Sequence, residues 1–308
     1  MRKCIKPGKA RKSINFLDNI VYSRQKDLNG NEMELKMSIM LQNGNSEMRL
    51  AFGKDDEGED KAPKPAILWV PGGGYRGCDK NLMVSEMAFL ADAGFVVASI
   101  YYRSSAEGHF PDQIIDVKTA IRFLRAHADE YEIDPEHIGI IGRSAGGQLT
   151  SLASLNTDNF ESAEWAEFSS EVQAGIDMFG PNDFPKLMDF DLADMASTPN
   201  HRWKSLSDTH GGAVIGGDVA TMRERSKSFS PMYLPLDKIC PMMILHGDHD
   251  KLVPVEISEA FYQRLEDAGY GDQTEFYVLE GAGHGTKEFF QPETKELMLH
   301  FFEKYLKK

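Results

Sequence analysis

The stretch Ile138-Gly139-Ile140-Ile141-Gly142-Arg143-Ser144-Ala145-Gly146-Gly147 constrains this chain more than any other. A short apolar run reads as a buried strand. Here it runs straight into Gly142-Arg143-Ser144-Ala145-Gly146, a Gly-x-Ser-x-Gly spacing. A serine on a sharp strand-to-helix turn sits in a strained backbone conformation. Its neighbours two before and two after must lack side chains, or they collide with the flanking strand and helix. The Ala145 amide then points to where an oxyanion would form, at a helix start. The bland alternative is a glycine-rich turn with an idle serine. The helix-like Gln148-Leu149-Thr150-Ser151-Leu152-Ala153 that follows supplies the context a nucleophile needs.

Other apolar runs recur along the chain. Residues 33–41 alternate after the turn signal Asn29-Gly30-Asn31, as strands with one solvated face do. Ala66–Val70, Phe95–Ile100, Ala174–Phe179, Pro241–Gly247 and Thr274–Leu279 read as further strands. Pro111 opens a helix with Ile114, Ile115, Val117, Ile121 and Leu124 at 3.6 spacing. Helices are also expected over 255–269 and 293–306. Strands alternating with helices predict an α/β fold with a mostly parallel central sheet covered on both faces. A single domain over 1–308 is the simplest account, with 1–30 as an N-terminal arm whose residues 1–20 read as loose or as a lone helix. Asp55–Asp60 reads as an acidic, solvated loop. The polar interval 182–237 is too long for a plain connection. It is expected to pack as an insertion over the ligand-binding edge of the sheet.

Composition narrows the partners. A net charge of −14 argues against nucleic acid and anionic membrane. No stretch approaches the ~18 apolar residues of a membrane span. The basic N-terminus (Arg2, Lys3, Lys6, Lys9) has no apolar core behind it, unlike a secretory signal. Three distant cysteines, Cys4, Cys78 and Cys240, give neither metal spacing nor a disulfide framework, which favours the reducing cytoplasm.

A serine nucleophile needs a base, and the base an orienting carboxylate. Two segments just past buried strands supply them. One is His246-Gly247-Asp248-His249-Asp250; the other is Glu280-Gly281-Ala282-Gly283-His284-Gly285. Gly247 allows a tight turn, so Asp248 is expected to bond nearby backbone amides. Asp250 lies farther out, where a loop can present it to a second strand end. Upstream, Pro71-Gly72-Gly73-Gly74-Tyr75 lets backbone amides approach a ligand closely. No Gly-Lys-Ser/Thr follows, which excludes a P-loop. His210-Gly211-Gly212 has a similar look, but it lies beyond the serine with no strand before it, and it is discounted.

Taken together these residues resemble the α/β-hydrolases, in particular the small carbohydrate-esterase-like group related to hormone-sensitive-lipase-type, acetyl-xylan and feruloyl esterases. The resemblance covers roughly residues 64–305. It is carried by Gly72-Gly73-Gly74, Tyr102-Arg103, Phe110-Pro111-Asp112-Gln113 with Asp116, Leu124-Arg125-Ala126, Ile133-Asp134-Pro135, the Ser144 turn, Gly180-Pro181-Asn182-Asp183, and the Asp250 and His284 segments in the order Ser, Asp, His. It implies Ser144 as nucleophile, His284 as general base and Asp250 as the residue orienting it. Gly73, Gly74 and Ala145 would supply the oxyanion amides. Where the family loop usually carries a histidine, this chain has Pro71, which offers no side-chain hydrogen bond to brace the loop. His109, His246 and His249 are expected to be structural. Tyr75, Trp69, Arg143 and Trp203 are candidate pocket residues that could equally be packing.

The implied activity is hydrolysis of short-chain acyl esters, with a small-molecule ester or acylated oligosaccharide as substrate and no metal or cofactor. The same fold also hosts serine peptidases and arylformamidase-type amidases. Peptidases of the prolyl-oligopeptidase type carry a propeller in front, for which the segment before the glycine loop is too short. A non-catalytic binding module would more often have lost one of the three residues.

Overall fold

A computed structural model of the chain describes residues 2–4, 13–43, 62–77, 79–198 and 203–307. The acidic run 55–60, Cys78 and His201 lie outside them. Eight strands form one sheet in the order β1-β2-β4-β3-β5-β6-β7-β8. They are β1 (Ser13–Lys26), β2 (Glu32–Asn43), β3 (Lys64–Val70), β4 (Val96–Ile100), β5 (Ile133–Arg143), β6 (Ala174–Met178), β7 (Met242–Gly247) and β8 (Thr274–Leu279). β1 and β2 are antiparallel to their neighbours; every pairing from β4 to β8 is parallel. The helices are α1 (Ala88–Asp92), α2 (Asp112–Ala126), α3 (Ala145–Ser154), α4 (Phe184–Ser197), α5 (His210–Ile215), α6 (Val219–Lys227), α7 (Val255–Asp267) and α8 (Pro292–Leu306). None of the described helices is long and apolar enough to cross a membrane.

The central strands read as unbroken apolar runs because both faces are buried. On β3, Ala66, Leu68 and Val70 face one core with Ile114, Val117 and Ile121 of α2 and Leu149 of α3. Ile67 and Trp69 face the other, with Leu90 of α1 and Phe301 and Phe302 of α8. Trp69 is fully buried there, so it is a core residue and not a pocket one.

Residues 13–26 are not an arm or a lone helix. They form the edge strand β1, joined to β2 through a turn in which the Gly30 amide donates to the Asp27 carbonyl (2.9 Å). The strand is hidden in the sequence because its register shifts between Leu17 and Ile20 and again between Val21 and Ser23. Each bulge inserts a residue and breaks the two-residue alternation that marks a strand.

The interval 182–237 carries α4, α5 and α6. α4 opens on Asp183, whose side chain accepts from the Lys186 amide (3.0 Å), with Pro185 in the first turn. Likewise Thr209 caps α5 by accepting from the Gly212 amide (3.0 Å), so His210-Gly211-Gly212 opens a helix.

Candidate active site

Parallel register brings the chemistry to one edge. Val70 pairs with Gly142, Arg143 with Met178, and Gly247 with Leu279. The loops after β3, β5, β7 and β8 therefore emerge together, where open α/β sheets bind ligands.

At the end of β5 the chain turns through Ser144 (φ 54°, ψ −121°) into α3. That conformation is strained for a residue with a side chain. It is held by the Ser144 amide donating to the Met178 carbonyl (2.8 Å) and the Gln148 amide donating to the Ser144 carbonyl (3.1 Å). The glycine requirement is steric. A Cβ on Gly142 would lie 2.2 Å from the Gly146 carbonyl oxygen, and one on Gly146 would lie 2.0 Å from that of Val70. Both obstacles are backbone and cannot rotate away. Gly146→Ala is expected to destabilise the fold by roughly 1–3 kcal/mol, as overpacking does. A urea midpoint equal to wild type would contradict this account of the turn.

Ser144 Oγ lies 2.8 Å from His284 Nε2, and His284 Nδ1 lies 2.6 Å from Asp250 Oδ2. The Asp250 side chain is buried and fully committed. Its Oδ1 accepts from the amides of Leu252 (2.8 Å) and Val253 (3.0 Å). Burial alone would raise the Asp250 carboxyl, but hydrogen bonds from His246 and His284 outweigh it and hold the group well below the ordinary carboxylate range. Asp248 instead accepts from the Gly281 amide (2.7 Å) and sits 2.7 Å from His249 Nδ1. It ties the two loops together from outside.

His246 does more than fill the core. Its Nε2 lies 2.9 Å from the Val253 carbonyl and 3.3 Å from Asp250 Oδ2, while Nδ1 meets Ser258 Oγ at 2.8 Å. Asp250 thus has a histidine on either side. His246 had been expected to be structural; only the turn after β7 places it against the carboxylate. His249 is exposed, and His109 packs on Gly216. Deeper in, Asp177 accepts from Ser151 of α3 (2.8 Å), the Gly180 amide (2.9 Å) and Asn182 (2.7 Å), tying α3 to the loop after β6. Its burial raises the carboxyl above the ordinary range.

The glycine loop after β3 lies beside the Ser144 turn. Pro71 lacks a side-chain donor, yet the loop is braced: the buried Tyr102 hydroxyl donates to the Pro71 carbonyl (2.9 Å). Gly73 and Gly74 line a cleft of about 220 Å³ together with Ser144, Ala145 and His284. Tyr75 also lines it, with its hydroxyl donating to Gln148 Oε1 (3.1 Å). The far wall includes Leu187, Trp203 and His210 from the interval 182–237. Trp203 and His210 meet edge to face at 5.2 Å, and a Cβ on Gly74 would lie 2.4 Å from the His210 ring. His210 is a cleft residue that sequence reasoning set aside. Its place in the cleft follows from the Thr209 cap that fixes the start of α5. Arg143 lines the cleft beside Ser144, with its guanidinium 5.8 Å from the Phe179 ring centroid. Among the described residues no group of three or more His, Cys, Asp or Glu side chains is arranged to hold a metal ion.

Sheet order, the serine turn and the loops around it define an α/β-hydrolase. Residues 56–265 match the BD-FAE family model, and the chain belongs to that family. It is 33% identical over 204 residues to the probable carboxylic ester hydrolase LipM of Mycobacterium tuberculosis, covering 65% of this chain and 44% of that protein. With the esterase LipC of the same organism it shares 30% identity over 226 residues, 72% of this chain and 53% of the relative. The chain thus spans about half the length of these curated relatives. Among solved structures it is similar to a truncated carbohydrate esterase from gut microbiota, at 27% identity and a TM-score of 0.76 over 98% of this chain and 99% of that one.

Proposed function

We propose that this chain is a serine carboxylic-ester hydrolase acting on short acyl esters, with acylated sugars as the favoured class. The observation that carries this reading is the hydrogen-bonded line from Ser144 through His284 to Asp250 (2.8 and 2.6 Å). Beside it lies the Ala145 amide at the start of α3. In the proposed reaction the Ser144 hydroxyl gives its proton to His284 Nε2 as Oγ attacks the ester carbonyl. Asp250 holds the imidazole with Nδ1–H turned toward it and stabilises the cation that forms. The amides of Ala145 and of Gly73 or Gly74 stabilise the oxyanion. His284 then protonates the leaving alcohol, and water, activated by the same imidazole, releases the acid from Ser144.

The small cleft supports short acyl groups, and likeness to a carbohydrate esterase supports a sugar alcohol. Leu187, Trp203 and His210 are proposed to set substrate choice, as wall residues on an insertion within a single domain. The cytoplasm is the proposed location, supported by the free Cys4 and Cys240.

A panel of p-nitrophenyl esters from acetate to octanoate, with acetylated xylo-oligosaccharides and methyl ferulate, tests the proposal without added metal. Hydrolysis is expected to be fastest for the shortest acyl groups. Absence of turnover on every ester, together with failure of a phosphonate to label Ser144, would refute it.

A further inference from the structure

Arg143 stands apart from other buried and half-buried arginines of this chain. Arg103 is paired with Asp112 and Asp116, and Arg122 with Glu161. Arg125 has no carboxylate in hydrogen-bond contact but donates to the carbonyls of Pro135, Ser169 and Glu171. Among the described residues Arg143 has neither kind of partner. Its Nη1 reaches only the Met83 thioether, a weak acceptor, and its Nε is buried with no acceptor at all. Burial, with no opposing charge, pulls its pKa down. Asp191 is a carboxylate that also lines the cleft. A half-buried guanidinium without a counter-ion gives up hydration with nothing to offset it. It sits one residue before Ser144, in a chain of net charge −14.

Position says which part of a substrate it meets. The Phe179 ring packs edge-on against His284 at 4.7 Å and also lies under the Arg143 guanidinium at 5.8 Å. A Cβ on Gly285, the residue after His284, would lie 2.7 Å from Arg143 Nη2. The cation is therefore on the histidine side of Ser144. In ester hydrolysis the leaving alcohol must lie on that side, because His284 protonates it.

We infer that Arg143 is a specificity-determining residue that receives an anionic group on the leaving alcohol, so that the preferred substrates are esters of hydroxy acids or similarly charged alcohols. This rests on the serine-esterase reading above. A carboxylate there would accept charge-assisted hydrogen bonds from the guanidinium of Arg143, which lines the cleft.

The test compares acetyl esters of 3- and 4-hydroxybenzoate with those of the corresponding hydroxybenzamides, which match in shape and differ in charge. Binding is measured by calorimetry on Ser144→Ala, where no turnover interferes. At least one anionic ester is expected to bind roughly 10–100-fold more tightly than its amide. The preference should shrink as ionic strength rises. Arg143→Met in the same background should bring the ratio near one, and Arg143→Lys should retain part of it. Equal or weaker binding of both anionic esters by Ser144→Ala overturns the inference, and that measurement needs no arginine variant to fold. So does a ratio that survives Arg143→Met. A preference confined to an anionic acyl group, seen with a succinate monoester of hydroxybenzamide, overturns the placement on the alcohol side. Lack of turnover by the wild type on every ester would count against the esterase reading, while the binding ratio still decides the role of Arg143.

Discussion

Ser144→Ala is expected to lower kcat on short acyl esters by roughly 10⁶-fold, the order lost when a serine nucleophile is removed from a set that acts as a unit. The substitution isolates chemistry from folding unusually well here. Serine and alanine share the same Cβ, so the strained conformation at φ 54° is no more costly for alanine. The hydroxyl hydrogen bond lost is the one to His284 at 2.8 Å. The urea midpoint should therefore stay close to wild type while turnover disappears. A phosphonate should label the wild type and not the variant. If Ser144→Ala keeps more than about a hundredth of the activity, the nucleophile lies elsewhere and the proposed function falls with it.

Asp250→Asn should cost about 10⁴ in kcat, whereas Asp248→Asn should leave turnover within a few-fold of wild type. An amide at 250 keeps the shape of the carboxylate. Its NH₂ turned to His284 Nδ1, however, forces the proton onto Nε2, and a protonated Nε2 cannot take the serine proton. Asp248 is exposed and fastens the Gly281 amide from outside (2.7 Å), so its loss should show as a small fall in the urea midpoint. The pH dependence separates the two further. Asp250 is held below the ordinary carboxylate range when folded, because hydrogen bonds from His246 and His284 outweigh the raising effect of burial. A depressed carboxyl contributes stability that is fully present above its unfolded value of about 3.9. That stability is lost as pH falls through the lower folded value. The stability gap between wild type and Asp250→Asn should thus be full at pH 7 and narrow below about pH 4. Measuring kcat and urea midpoints of both variants decides the matter. A dead Asp248→Asn beside an active Asp250→Asn would move the assignment by two residues.

Much of the frame was legible because its causes are local. Gly142, Ser144 and Gly146 announce the strand-to-helix turn, since a side chain at either glycine would strike backbone 2.0–2.2 Å away. The strands from β3 to β7 show as short apolar runs because helices bury both faces. The apolar stripe of α2 follows from its 3.6-residue period. β1 was not legible, since two register shifts erase its alternation. Its place at the edge depends on β2 and on nothing in its own pattern.

By itself, then, the sequence determined the serine turn, the run of mostly parallel strands and the two segments after β7 and β8 that carry the candidate carboxylates and histidine. Excluded volume and hydrophobic periodicity act over a few residues and leave their mark in the chain. Tertiary structure decided the rest. The pairing of Gly247 with Leu279 brings Asp250, and not Asp248, to His284. Tyr102 braces a loop whose proline has no side-chain donor. His246 closes on the other side of Asp250, His210 comes to rest on Gly74, and Arg143 is left half-buried beside Ser144 with its Nε unpartnered among the described residues. Each of these joins segments far apart in sequence. Such contacts are fixed by strand register and by the exact path of loops, which no local period encodes.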